Sequence, residues 1–311
     1  MIYIENASTD PYFNQAFEEY VFNKYTDGEI LLLWRNSPAV VCGRSQNIFA
    51  EVDVNEAAAR GVALIRRISG GGTVYHDQGN LNYTIIRDQD QLALDYDAFL
   101  KPVIAALQKI GVPAAKNRTS DISIDGLKVS GSAQRGTMKR LLHHGTLLYD
   151  CDLNALTSLS NGQREHFTTK GSPSVPWPVT NIRDHMEDKS MSVEEFSEAL
   201  LDALLETVPS GQDEIVRRVL TEDELAEVRE LADEKYRSWE WTFGKSPAFT
   251  YHREFEFNET DMQVDYSAKH GVIQDITFTP RFPDAEAALT GQRLDIDAFP
   301  DEFKELIKYI M

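Results

Sequence analysis

Three consecutive glycines stand inside a strand-rich stretch, in RRISGGGTVYHDQGNLNY at residues 66–83. A regular sheet does not run through such a triplet, because glycine has no side chain to pack and loses the most backbone freedom on folding. The chain must therefore turn between the strand reading VALIRRIS and the strand reading NLNYTIIRD. A bulge or tight turn would account for the glycines alone. Their flanks add chemistry: Arg66 and Arg67 offer cationic forks, Ser69 a hydroxyl, and the bare backbone lets N–H groups approach a ligand. That combination suits a bound phosphate or carboxylate. The spacing is neither that of the P-loop nor the dinucleotide G-x-G-x-x-G, so a nucleotide pocket of another kind is expected.

The surrounding sequence gives this turn a frame. Asp10 and Pro11 read as an N-cap and first helical residue, followed by Phe13, Phe17 and Val21 on one face, which predicts a core helix without a functional role. EILLLWRN and AVVCGRSQ read as strands split by Ser37-Pro38, and VNEAAARG as a short helix. YDAFLKPVIAALQKIG predicts an amphipathic helix ending at Gly111, and DISIDGLKVSG a hairpin turning at Asp125-Gly126. Capping boxes at Ser192 with Glu195 and Thr221 with Glu224 open two further helices. Past Trp239 the texture changes to short alternating strands, REFEFNE, MQVDYSA and VIQDITFT, before a helix around FPDEFKELIKYI. The expected fold is α+β (mixed α/β) in two units, residues 1–246 and 247–311, joined by SWEWTFGKSPAF. Gly244 and Pro247 make that junction a candidate hinge, with a fixed tether as the alternative.

At 311 residues and 42% hydrophobic content the chain can bury a large core. No segment resembles a signal peptide or approaches eighteen uncharged apolar residues, so the cytoplasm is the expected compartment. Cys42 and Cys151 are far apart and lack metal-ligand spacing, which favours reduced thiols. A net charge of −19 opposes bulk binding to nucleic acid or to an anionic membrane, while leaving room for a local basic pocket.

A second constellation is KVSGSAQR at 128–135, where Lys128 precedes small residues that could close around its ammonium; a solvated surface lysine is the plainer reading. A third is LHHGTLLYD, whose His143 and His144 suggest zinc. Adjacent strand residues point to opposite faces, which disfavours a shared metal.

RRISGGGTVYHDQGNLNY, KVSGSAQR, HHGTLLYD, VTNI at 179–182 and SWEWTFGKSPAF, in this order, resemble the lipoate–protein ligase A family. The resemblance implies a biotin-ligase-like catalytic domain, with a mixed sheet and flanking helices, and a small α+β C-terminal accessory domain. It implies ATP-dependent ligation of lipoate, with magnesium, through lipoyl-AMP to a lysine of an acceptor protein. The acceptors would be lipoyl domains of 2-oxoacid dehydrogenase E2 subunits, the glycine-cleavage H protein, or both. Carried onto this sequence, Lys128 would be catalytic; Arg67, Gly72, Thr73, Val74, Tyr75, Lys128 and Asp121 would bind ATP and the adenylate. Ser69, Gly71, His76 and Lys128 would bind lipoate, Asp121 would meet the magnesium, and Val40, Val41 and Tyr83 would wall the alkyl slot. Two departures stand out. Asn117-Arg118-Thr119-Ser120-Asp121 replaces the family's Gly-Arg-Asn-Asp, and Trp177 sits in SVPWPVTNI where the family is more basic. The chief alternative is an ATP-independent octanoyl or lipoyl transferase working through a cysteine thioester, but residues 114–124, where relatives of that kind carry the cysteine, contain none. A catalytically silent lipoyl-domain binder is the third reading.

Overall fold

A computed structural model describes residues 1–160, 163–207 and 216–311. Its strands in chain order are β1 (Ile2–Ile4), β2 (Ile30–Trp34), β3 (Ala39–Cys42), β4 (Ala63–Arg66), β5 (Val74–His76), β6 (Asn80–Asp88), β7 (Ala115–Asn117) and β8 (Asp121–Ile124). They continue as β9 (Leu127–Gly136), β10 (Arg140–Leu148), β11 (Phe167–Thr169), β12 (Val216–Arg218), β13 (Phe249–Phe257), β14 (Thr260–Lys269) and β15 (Val272–Thr279). Eight form one mixed sheet in the order β12-β1-β2-β6-β10-β9-β8-β7. Three form a small sheet, β4-β3-β5, and four form a third, β11-β13-β14-β15. The architecture is the mixed α+β one the sequence implies.

Local chemistry accounts for most of the boundaries. The N-terminal helix, Pro11–Lys24, starts where Asp10 accepts the Tyr12 amide. Thr221 and Glu224 close a reciprocal capping box, and Ser192 does the same with Glu195. The hairpin between β8 and β9 turns through Asp125 and Gly126 with φ of 49° and 82°, the left-handed pair that such a two-residue turn demands. The C-terminal stretch departs from expectation: Asp301–Leu306 is a 3₁₀ helix and only Ile307–Ile310 is α-helical.

Alternation across the large sheet decides what faces the site. Leu81, Tyr83, Ile85, Leu141 and Leu147 point into a core shared with the helices Tyr96–Lys109 and Val193–Thr207. Ile86 and Leu142 point the other way, toward the N-terminal helix and the small sheet. Asn82, Thr84, His144 and Thr146 share this second face, and the small sheet stands over it, held by Val41 and Ile65. The outer face of the small sheet, through Val40 and Cys42, joins the core of the C-terminal strands. Phe49 packs there against Trp239, Phe243 and Phe249.

Candidate active site

The glycine turn is built by close backbone approach. Gly71 has φ +88°, and a Cβ on Gly43 would lie 2.1 Å from the Gly71 carbonyl oxygen, so neither position tolerates a side chain. Arg67 holds the turn from within, donating to the carbonyls of Val41 at 3.0 Å and Gly72 at 2.7 Å and to Ser69 Oγ at 3.0 Å. Burial pushes this guanidinium down to about 10, still charged at neutral pH. Arg66 does not serve as a ligand fork. It is fully buried and donates to the carbonyls of Gly43, Gln46 and Thr242, stitching the turn to the junction before β13. Ser69 Oγ meets His144 Nε2 at 2.6 Å, and His144 Nδ1 meets both Glu18 carboxylate oxygens at 2.9 Å. The helix read as a plain core element thus reaches the site through Glu18.

Two cavities meet beside this turn. The first, of about 390 Å³, is walled by Trp34, Val41, Gly71, Gly72, His76 and His144 among others. The second, of about 460 Å³, is walled by Tyr75, Leu148, Cys151, Leu156, Trp177 and Val179 among others. Thr73, Val74, Lys128, Gly131, Thr146 and Ser174 border both. Lys128 therefore stands at the seam. Its side chain folds across Gly131, where a Cβ would lie 2.8 Å from Nζ, and Nζ pairs with Asp121 Oδ1 at 3.0 Å. Its backbone is fixed by Val179, donating to the Pro178 carbonyl and accepting from the Thr180 amide.

Of the residues singled out from sequence, Arg67, Gly71, Gly72, His76 and Asp121 border the first cavity and Tyr75 the second, while Thr73, Val74 and Lys128 border both. Ser69 lies one layer behind, reaching the wall through His144. Val41 lines the first cavity, but Val40 points into the C-terminal core and Tyr83 into the opposite core, stacked on His143. Strand alternation places their neighbours Val41 and Asn82 at the cavity instead. His76 is held neutral, pushed down to about 3 by burial.

Sequence reading missed Gln15, Trp34, Glu51 and Ser174. Ser174 Oγ accepts the Thr73 amide at 2.8 Å and the Gln46 side-chain amide at 3.1 Å, and donates to the Glu51 carboxylate, laying residues 171–178 across the glycine turn. Glu51 is also paired with Arg164 at 3.0 Å. One readable signal existed: Asn14, Gln15 and Glu18 are polar residues on a helix that buries most of its surface. The two departures from the family pattern meet each other, Arg118 lying over the Trp177 ring at 4.6 Å.

Neither thiol is set up as a nucleophile. Burial raises Cys42 at the base of the small sheet, and burial followed by the charge of Asp77 raises Cys151. Among the described residues no three His, Cys, Asp or Glu side chains converge as metal ligands. Asp121 offers a single carboxylate beside Ser120, a hard-oxygen set that fits magnesium shared with a phosphate and not a protein-only cage.

A family model described as the lipoyl protein ligase A/B catalytic domain matches residues 10–205. Lipoate–protein ligase 1 of Staphylococcus aureus is 32% identical over 98% of this chain and 93% of its own length. The chain belongs to the lipoate–protein ligase A family. Lipoate-protein ligase LplJ of Bacillus subtilis is 34% identical over 88% of the chain and 83% of its own length. Among solved structures, a lipoate-protein ligase A bound with ATP has a TM-score of 0.64 and 27% identity, covering 78% of this chain and 98% of its own. A Thermoplasma acidophilum bi-partite lipoate protein ligase, described with its E2 lipoyl domain, has a TM-score of 0.65 and 26% identity, covering 78% of this chain and 96% of its own. Protein Ta0514 of T. acidophilum, solved with bound lipoic acid, has a TM-score of 0.63 and 27% identity, covering 77% of this chain and 96% of its own. As a family member the chain is a lipoate–protein ligase, and no helix among its described residues is long and apolar enough to cross a membrane.

Proposed function

We propose that the chain activates lipoate with ATP, forming lipoyl-AMP and pyrophosphate, and then passes the lipoyl group to a lysine of a lipoyl domain. The carrying observation is the position of Lys128, the one ammonium among the described residues that borders both cavities. The first cavity receives the acyl chain, with Gly71 and His76 on its wall and Ser69 setting His144 from behind. The second receives the nucleotide against Val74 and Tyr75. The carboxylate and the α-phosphate then meet at the seam, where two anions must approach while negative charge builds on the phosphoryl oxygens. Lys128 sits there to oppose that charge, assisted by the amide of Gly72, a residue that Arg67 holds through the Gly72 carbonyl. Magnesium, held through Asp121 and the phosphates, would neutralise the pyrophosphate as it leaves.

In the second half-reaction the acceptor's neutral amine attacks the acyl carbonyl, the bond to the phosphate oxygen breaks and AMP departs with that oxygen. Lys128 again faces the oxygens that gain charge, and the enzyme needs no covalent intermediate. Support for ATP and lipoate as substrates comes from relatives solved with each, and for lipoyl domains of E2 subunits from the Thermoplasma ligase and its E2 partner. The glycine-cleavage H protein is a second candidate acceptor of the same chemistry. Residues 1–246 carry both cavities and serve as the catalytic unit; 247–311 serve as the accessory unit. The test is lipoate transfer to an apo lipoyl domain with and without ATP. Transfer that requires ATP and releases pyrophosphate is expected, and ATP-independent transfer from a lipoylated donor would replace this reading with the transferase one.

A further inference from the structure

The strands β9 and β10 run side by side only part of the way. Their main-chain ladder ends at Ser132 opposite Gly145. Beyond it Thr146 Oγ1 accepts the Gly131 amide at 3.2 Å, and past that side-chain bond no main-chain pair joins the two strands among the described residues. Lys128, Gly131 and Thr146 border both cavities, so the fork between the strands is the seam itself. On its β8 side Lys128 stands opposite Ser123, next to a register shift between Ile122 and Ser123. On its other edge residues 178–180 take the place of β10. Lys128 donates to the Pro178 carbonyl at 2.9 Å and accepts the Thr180 amide at 3.0 Å, a parallel bridge to Val179.

The motif VTNI at 179–182 carries this bridge, and its third residue anchors it. Asn181 stands at the N-cap position of the 3₁₀ turn Ile182–His185, where an asparagine side chain ordinarily takes a helix amide, and it makes no capping bond. Its side-chain amide instead pairs with the main chain just past β10. Oδ1 accepts the Cys151 amide at 2.9 Å and Nδ2 donates to the Cys151 carbonyl at 3.0 Å, so each end of the amide is assigned by its partner. The neighbours of Asn181 serve the fold: Thr180 Oγ1 meets His185 Nε2 at 3.0 Å, Ile182 is fully buried, and Arg183 donates its amide to the Tyr149 carbonyl at 3.1 Å.

We propose that Asn181 is a positioning residue for Lys128: by tying the 178–180 bridge to Cys151 it sets the width of the fork, and with it the place of the ammonium between the two cavities. This rests on Lys128 serving the proposed reaction. Asn181 is on the wall of neither cavity, so it acts through the lysine and not on a substrate. Displacing a reacting group by about 1 Å costs on the order of a hundredfold in rate, while contacts along the rest of the cavities keep substrate binding. The Arg183 amide bond and the buried Ile182 do not depend on the Asn181 side chain, so its removal leaves the 3₁₀ turn docked.

The test compares Asn181→Ala and Asn181→Asp with the wild type in the full chain, and repeats Asn181→Ala in a Lys128→Ala background. Aspartate keeps an acceptor for the Cys151 amide but sets a second oxygen against the Cys151 carbonyl, so it should do no better than alanine. Both variants should lower kcat for pyrophosphate release, and the rate constant for transfer from supplied lipoyl-AMP to an apo lipoyl domain, by about tenfold or more, with KM for ATP and lipoate changed by less than about threefold. In the Lys128→Ala background the alanine should change either rate by less than about twofold, because no ammonium is left to misplace. An equal loss in both backgrounds, a loss confined to KM, unchanged rates in both single variants, or a loss matched by the unfolded fraction at the assay temperature would overturn the proposal. A wild type that transfers lipoyl groups without ATP would remove the adenylation reading and leave this one decided by the transfer rate alone.

Discussion

In the proposed mechanism Lys128 serves both half-reactions, because it borders both cavities. Lys128→Ala should lower lipoyl-AMP formation by on the order of a hundredfold or more, because it removes a charge aimed at the reacting oxygens. Unfolding midpoints should change little, since the side chain is partly exposed and its pair with Asp121 spans a cavity wall. Near-normal pyrophosphate release from the folded variant would sink the assignment. The two thiols offer the complementary measurement. With Cys42 and Cys151 both replaced by alanine, ATP-dependent ligation should persist, reduced only as far as stability falls; Cys42 is fully buried, so a cost of about 1 kcal/mol is expected from its lost packing. A thioester found on either residue by mass spectrometry would favour the transferase.

Two other residues predict how the fold responds to acid. Burial pushes His76 and His143 down to about 3 from an ordinary 6.5. Between those values the unfolded chain binds protons that the folded chain refuses, so stability is complete above pH 6.5 and falls as pH drops toward 3. By pH 5 each histidine should have cost about 2 kcal/mol, measurable as a lower urea midpoint than at pH 7.5. A midpoint flat across that interval would mean that the two rings accept protons in place.

Among the elements, the segment 171–178 over the glycine turn is pinned largely through Ser174, which bonds Thr73, Gln46 and Glu51. Glu51→Gln removes the charge that Ser174 and Arg164 share, so trypsin should cut after Lys170 several-fold faster than in the wild type, as expected when a charge-assisted bond is lost. An unchanged cleavage rate would show that the segment is held by something else. This element also marks the limit of sequence reading. The Asp125-Gly126 hairpin was legible because its chemistry lies within a few residues of itself, whereas Lys128, whose backbone partners are Pro178 and Thr180, stood out only through the family resemblance. Ser174 was not legible, because its partners Thr73 and Glu51 lie more than a hundred positions away. The wall residues failed by parity: Tyr83 and Asn82 are neighbours in a strand, and only the packed sheet decides which of them faces ligand. Glu18 and Gln15 were hidden for a third reason, since the helix that bears them also carries Phe17 and Val21, and that apolar stripe explains the helix without any site.

At the scale of the whole molecule, the change of texture near residue 247 does not coincide with a gap in packing. Phe49 is surrounded by Trp239, Phe243 and Phe249, and the C-terminal core takes in Val40, Cys42, Ile48 and Val54 from the preceding unit. A seam this apolar favours a docked domain over a free hinge. Truncation after residue 246 should therefore expose that surface and yield aggregating or strongly destabilised protein, detected as loss of soluble monomer in size-exclusion chromatography. A soluble truncated chain with the unfolding midpoint of the full one would instead make the C-terminal unit a loosely tethered appendage.

The strand β11 carries a further consequence. Its three residues, Phe167, Thr168 and Thr169, run antiparallel along β13 opposite Tyr251, Thr250 and Phe249, so one unit lends a strand to complete the edge of the other's sheet. A lent strand and an aromatic seam do not require a continuous backbone between the parts that meet. If the polypeptide were severed between residues 246 and 247 and the halves made together in one cell, main-chain pairing along that edge would supply the register and the apolar seam the attraction. The halves should copurify as a noncovalent one-to-one pair, and disrupting the lent edge with Thr168→Pro should release them from one another.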